Sequence, residues 1–66
     1  MQNLLKVERA KKEITQEILA QAVSVSRQTI ISIESGKYIP STILALKLAR
    51  YFNTSVEAIF ILEPND

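Results

Sequence analysis

Within the stretch Ile14–Lys37, ITQEILAQAVSVSRQTIISIESGK, two hydroxyl residues, Thr15 and Ser26, each stand directly before a short apolar-patterned segment, and Gly36 stands directly after the second. A Ser or Thr side chain at such a position accepts a hydrogen bond from a free backbone N–H of the first helical turn, and Gly favours the left-handed conformation that ends a helix. The spacing therefore predicts helices over 16–23 and 27–35, joined by a turn at Ser24-Val25. Leu19, Ala20 and Val23 recur on one side of the first helix, Ile30 and Ile33 on one side of the second. Two short helices bound so closely must pack against each other, and the rest of the chain has to supply the remaining core.

It does so with the same grammar. Asn3 can cap a helix over about 3–12, anchored by Leu5 and ending in the basic pair Lys11 and Lys12, which suits the helix dipole. Ser41 follows Pro40 and caps a helix over 42–52, whose Leu44, Ala45, Leu48, Ala49 and Phe52 fall at helical spacing. Ser55 caps a short last helix over 56–61. No alternating run is long enough to propose a strand, so the expected fold is all-α: one compact five-helix domain spanning residues 1–66.

Sixty-six residues lie near the lower limit for a fold held by an apolar core alone, so there is room for one site. With no Cys and no His, the chain lacks thiol nucleophiles, the usual zinc ligands and the usual neutral-pH general base. An enzyme, a metal site and a bound cofactor are accordingly not expected; a small hydrolase built on one of the Ser residues would have no His or Cys partner. No segment resembles a secretory leader or reaches the ~18 apolar residues that span a bilayer, so a cytoplasmic protein is expected. The net charge of +1 is uninformative, but residues 1–37 carry six basic side chains (Lys6, Arg9, Lys11, Lys12, Arg27, Lys37) against four acidic ones, a surplus that the remainder lacks.

On a helical wheel, Gln28, Ile31, Ser32 and Ser35 fall opposite the core residues Ile30 and Ile33, with Arg27 and Thr29 flanking them at the first turn. That turn carries free N–H groups and a positive dipole end, which favour a phosphate. Arg and Gln can each make paired hydrogen bonds to a base edge, to guanine and adenine respectively, and a helix fits the major groove. The same side chains would also serve as ordinary soluble surface, and the wheel alone leaves both readings open.

The run TQEILAQAVSVSRQTIISIESGKYIPS strongly resembles the Xre and lambdoid phage repressor type of helix-turn-helix, with its pattern T-Q-x-x-L-A-x-x-x-G-V-S-x-x-x-I-x-x-I-E-x-G-K-x-x-P-S. The likeness continues through LALKLARYF and SVEAIF, nearly the whole chain. It implies a prokaryotic or phage regulator that binds double-stranded DNA through the major groove, with Arg27, Gln28 and Ser32 on base edges and Thr29 beside them. It further implies that Gln16, Lys37 and Tyr38 grip backbone phosphates, and that Arg9 and Glu34 form a salt bridge from the first helix to the end of the third.

Several positions depart from the pattern. Glu13, Ser24 and Asn53 stand where relatives often have Gly, in backbones expected to be left-handed. Ile18 replaces the Glu of a capping box, while Ile31 and Ile39 lie on or beside the DNA-facing side, where Ile31 could meet a thymine methyl and Ile18 and Ile39 could belong to a partner surface. Glu8 occupies an often apolar position. The family usually works as two-fold dimers on inverted repeats, which implies a homodimer; Val56, Ile59, Phe60, Ile61 and Leu62 are the expected interface, bordered by Arg50 and Tyr51. The function implied is a sequence-specific transcription regulator, a repressor that occupies promoter DNA; the alternative is an antitoxin or accessory subunit whose main task is binding a protein partner.

Overall fold

A computed structural model describes residues 1–66. Five helices follow in order: α1 (Leu5–Lys11), α2 (Gln16–Ala22), α3 (Arg27–Glu34), α4 (Thr42–Tyr51) and α5 (Val56–Ile59). Two short strands enclose them in sequence, β1 (Gln2–Asn3) and β2 (Phe60–Ile61), paired antiparallel with Gln2 opposite Ile61 and Asn3 opposite Phe60. The architecture is thus mostly helical with a small two-stranded sheet, where the sequence had suggested helices only. Two-residue strands show no alternation, so periodicity could not reveal them.

The ladder also shortens two of the expected helices. Phe60 is extended (φ −109°, ψ 123°), which ends α5 at Ile59 rather than at residue 61. Asn3 lies in β1, and α1 begins at Leu5. Its side chain nevertheless works as a local cap: Oδ1 accepts from the Leu5 N–H (3.1 Å), while Nδ2 donates to the Ile33 carbonyl at the far end of α3 (2.9 Å).

The other four expected caps form as the hydroxyl rule requires. Thr15, Ser26, Ser41 and Ser55 accept from the N–H groups of Ile18, Thr29, Leu44 and Ala58 at 3.1–3.2 Å. Helix ends follow a second rule. After α1, α2, α3 and α4 come Glu13 (φ 55°), Ser24 (φ 61°), Gly36 (φ 79°) and Asn53 (φ 54°), each left-handed. Each also closes the paired bonds of a Schellman motif, as in Glu13 N–H to Ala10 O with Ile14 N–H to Arg9 O, and Ser24 N–H to Gln21 O with Val25 N–H to Ala20 O. Ile14 and Val25, the residues after two of these turns, pack against the core and supply the usual apolar contact. Only one of the four positions is glycine; Asn53 tolerates the left-handed backbone, while Glu13 and Ser24 carry a steric cost for the same turn.

Twelve apolar residues form the core, among them Leu5, Leu19, Ile30, Ile33, Leu48 and Ile59, each fully buried. Every residue of that core is apolar. Glu8 sits outside this core and pairs with Lys11 one turn on (3.1 Å). The Met1 ammonium contacts Glu63 (2.8 Å) and Asp66 (3.0 Å), so the two ends of the chain meet beside the ladder.

Candidate nucleic-acid interface

α3 is seated by Ile30 and Ile33, both fully buried, and by the tight Ser24-Val25 turn that leads into it from α2. What it turns outward follows from that seating. Arg27 and Gln28 are exposed; Thr29 and Ser32 are half-covered. Ser26 Oγ and Thr29 Oγ1 lie 3.0 Å apart, and Gln28 Nε2 reaches Ser32 Oγ at 3.4 Å, so these polar side chains are held in two hydrogen-bonded pairs. Ile31 is half-buried rather than freely displayed, which withdraws part of the apolar surface the wheel had placed among them.

The loop beyond α3 is held close. The Ser32 carbonyl accepts from the Lys37 N–H (2.9 Å) and the Tyr38 N–H (3.2 Å), leaving both side chains exposed beside the α3 surface. Ile39 follows, 64% exposed.

On the opposite flank, Arg9 and Glu34 form the expected ion pair, and it is two-pronged: Nε to Oε2 at 2.8 Å and Nη2 to Oε1 at 3.2 Å. Arg9 Nη1 also donates to the Ile14 carbonyl (3.1 Å), which fixes the turn before α2. Donating to the Glu34 carboxylate, together with the attraction of its charge, raises the Arg9 pKa above an already high ordinary value, so the guanidinium stays charged. The sequence did not reveal a third member. Gln16 Nε2 donates to Glu34 Oε1 at 3.1 Å, so the side chain expected to reach a phosphate is already anchored at the mouth of a polar cleft that Lys6 and Arg27 also line.

The expected partner surface changes more. Ile59 is fully buried and Phe60 8% exposed; both close the monomer's own core and are unavailable to a second chain. The reason is the ladder, which folds Phe60 back over α1's entrance instead of continuing α5. Val56 is half-buried against the core, and Tyr51 is engaged edge-on with Phe52 (centroids 5.1 Å apart) beneath the Lys12 ammonium (4.9 Å). Arg50, Ile61 and Leu62 stay exposed. The apolar residues most displayed on α4 are Ile43 (68% exposed) and Leu46 (57%), neither of them among the expected interface residues. The signal was present: both lie off the Leu44, Leu48, Ala49, Phe52 stripe, where an exposed helix face normally carries polar residues.

Two capped helices joined by a tight turn, the second seated by two isoleucines and presenting a polar outer face, define a helix-turn-helix domain. The chain belongs to the helix-turn-helix family, whose model matches residues 5–59. It is 53% identical over 66 residues to an uncharacterised HTH-type transcriptional regulator of Methanocaldococcus jannaschii, each chain being covered in full. It is 44% identical over 63 residues to the uncharacterised HTH-type transcriptional regulator YgzD of Bacillus subtilis, with 96% of each covered. Among solved structures, the restriction-modification controller protein C.AhdI from Aeromonas hydrophila superposes with a TM-score of 0.77 at 28% identity, over 85% of each chain. No helix is long and apolar enough to cross a membrane.

Proposed function

We propose that this chain is a sequence-specific regulator of transcription that reads double-stranded DNA with α3 and represses by occupying promoter DNA as a homodimer on an inverted repeat. The observation that carries the reading is the polar row on α3, in which Arg27 and Gln28 are exposed, Ser32 is half-covered, and none of the three belongs to the buried core. Arg27 and Gln28 offer the donors and acceptors for guanine and adenine edges in the major groove, with Ser32 and Thr29 as closer-range contacts and Ile31 reaching a thymine methyl at the edge. Gln16 on one flank and Lys37 and Tyr38 on the other hold phosphates and set the register.

A single helix-turn-helix covers too little DNA for high specificity, which favours a two-fold dimer. The outer groove between α4 and α5 suits one. Leu46 and Val56 give it apolar ground, and Lys47, Arg50 and Glu57 line it without an ion pair inside the chain. Across a two-fold axis, basic residues of one copy can meet Glu57 of the other twice over, the self-complementarity an isologous contact needs. Ile61 and Leu62 extend the apolar rim.

Selection from random-sequence duplexes, followed by gel shifts across a salt series, tests the reading. An enriched inverted repeat, bound with a steep salt dependence and far more tightly than unrelated duplex, is the expected result. A chain that enriches no sequence is not this regulator.

A further inference from the structure

We infer that Glu34 is a positioning residue for DNA binding: it aims the Gln16 carboxamide at a backbone phosphate, so that the ion pair between α1 and α3 sets the strength of the backbone grip. The inference rests on the DNA-binding reading above and adds to it a residue that never touches DNA.

The geometry is specific. Glu34 lies at the last turn of α3, with its side chain only 6% exposed, and Gln16 opens α2 beside it. An ionised carboxylate can only accept hydrogen bonds, so an amide that contacts it must present nitrogen. The bond from Gln16 Nε2 to Glu34 Oε1 therefore fixes which end of the amide is held. It consumes one of the two N–H donors and leaves the second without a partner in the chain, a donor suited to a phosphate oxygen.

A carboxylate this close to a phosphate would ordinarily repel it. Here Arg9 places two donors on the same carboxylate, at 2.8 and 3.2 Å, so its charge is paired. Arg9 also holds the Ile14 carbonyl, just before the Thr15 cap, and so fixes the backbone from which Gln16 projects. Arg9, Glu34 and Gln16 thus form a chain in which each member limits the freedom of the next. A long polar side chain that is already ordered loses less freedom when it binds; releasing it should cost roughly 3- to 10-fold in affinity.

The test is a double-mutant cycle on binding to the selected operator and to unrelated duplex, using Glu34→Gln, Gln16→Ala and the pair together. Glu34→Gln keeps the shape but leaves a single acceptor oxygen, for which the Arg9 donors compete, so Gln16 is freed. The expected result is that Glu34→Gln weakens operator and unrelated duplex by the same factor, and that the double variant binds no worse than Gln16→Ala alone. A Glu34→Gln loss that persists in full in the Gln16→Ala background overturns the inference, because it then acts through the fold. Should Glu34→Gln melt below the assay temperature, the wild-type side-chain amide resonance of Gln16 decides. A position displaced from that of free glutamine, moving further as DNA is added, supports the inference; a free-glutamine position that ignores DNA overturns it. Wild-type protein that enriches no sequence would remove the DNA-binding reading itself, whereas wild-type binding with additive losses removes only the role of Glu34.

Discussion

The outward face of α3 and the outward face of α4 are built on the same scaffold yet carry opposite chemistry. α3 shows Arg27 and Gln28 to solvent, with Ser32 tied to Gln28; α4 shows Ile43 and Leu46, with Lys47 and Arg50 beside them. A polar face pays little to stay in water and can exchange its water for phosphates and base edges. An apolar face is costly in water, and the cost is recovered only when protein covers it. The molecule therefore carries two chemically distinct faces; on the function proposed above, the polar one meets nucleic acid and the apolar one meets protein.

Six substitutions probe that division. The largest effect is expected at the support of the α3 face: Glu34→Ala removes the carboxylate from a part-buried ion pair and should lower unfolding free energy by roughly 2–3 kcal/mol, measurable by urea titration. The loss is less than for a fully buried pair because the Arg9 side chain keeps 17% of its surface in water. A loss below about 1 kcal/mol would mean that the α2–α3 unit stands without its clamp. Next comes the reading face itself. Arg27→Ala or Gln28→Ala should each weaken operator binding by ~1–3 kcal/mol and relax the preference at one or two base pairs, whereas Lys37→Ala should weaken every duplex alike. Equal losses on all sequences for all three would erase the distinction between reading and gripping.

On the other face, Leu46→Glu should shift the dimer towards monomer in sedimentation and cost ~1–2 kcal/mol on a full inverted repeat, while binding to an isolated half-site and the melting temperature hold. An unchanged sedimentation profile would move the dimer contact off α4. The smallest change touches neither face: Ser24→Gly should raise stability by about 1 kcal/mol, because the left-handed backbone it occupies carries no steric cost for glycine. A destabilised variant would show that the Ser24 side chain contributes more than its backbone strain removes.

Local signals in the chain were legible wherever one residue decides the matter. Thr15, Ser26, Ser41 and Ser55 each cap a helix because a hydroxyl beside a free N–H suffices, whatever lies elsewhere. The left-handed turns at Glu13, Ser24 and Asn53 were legible only through the resemblance, since Glu and Ser do not advertise that conformation. What stayed hidden depended on partners distant in sequence. Nothing local in Asn3 says that its amide will bond the Ile33 carbonyl, and nothing in Gln16 says that Glu34 will hold it. Ile59 and Phe60 look as suitable for an interface as Ile61 and Leu62; only the strand pairing with residues 2–3 decides which pair goes inside.

That pairing also governs the order in which the molecule can be completed. Asn3 faces Phe60, and the Leu4 N–H donates to the Ile59 carbonyl (2.8 Å), so contacts from one end of the chain wait for the other. During synthesis from the N-terminus, Leu5 is among the first core residues made, while Ile59 and Phe60 are among the last. The nascent chain can cap its early helices at once, because those bonds are local. Its core nonetheless stays incomplete until residue 60 has emerged, and a product interrupted before that point lacks the buried Ile59 and Phe60 and leaves apolar surface for proteases and chaperones to find.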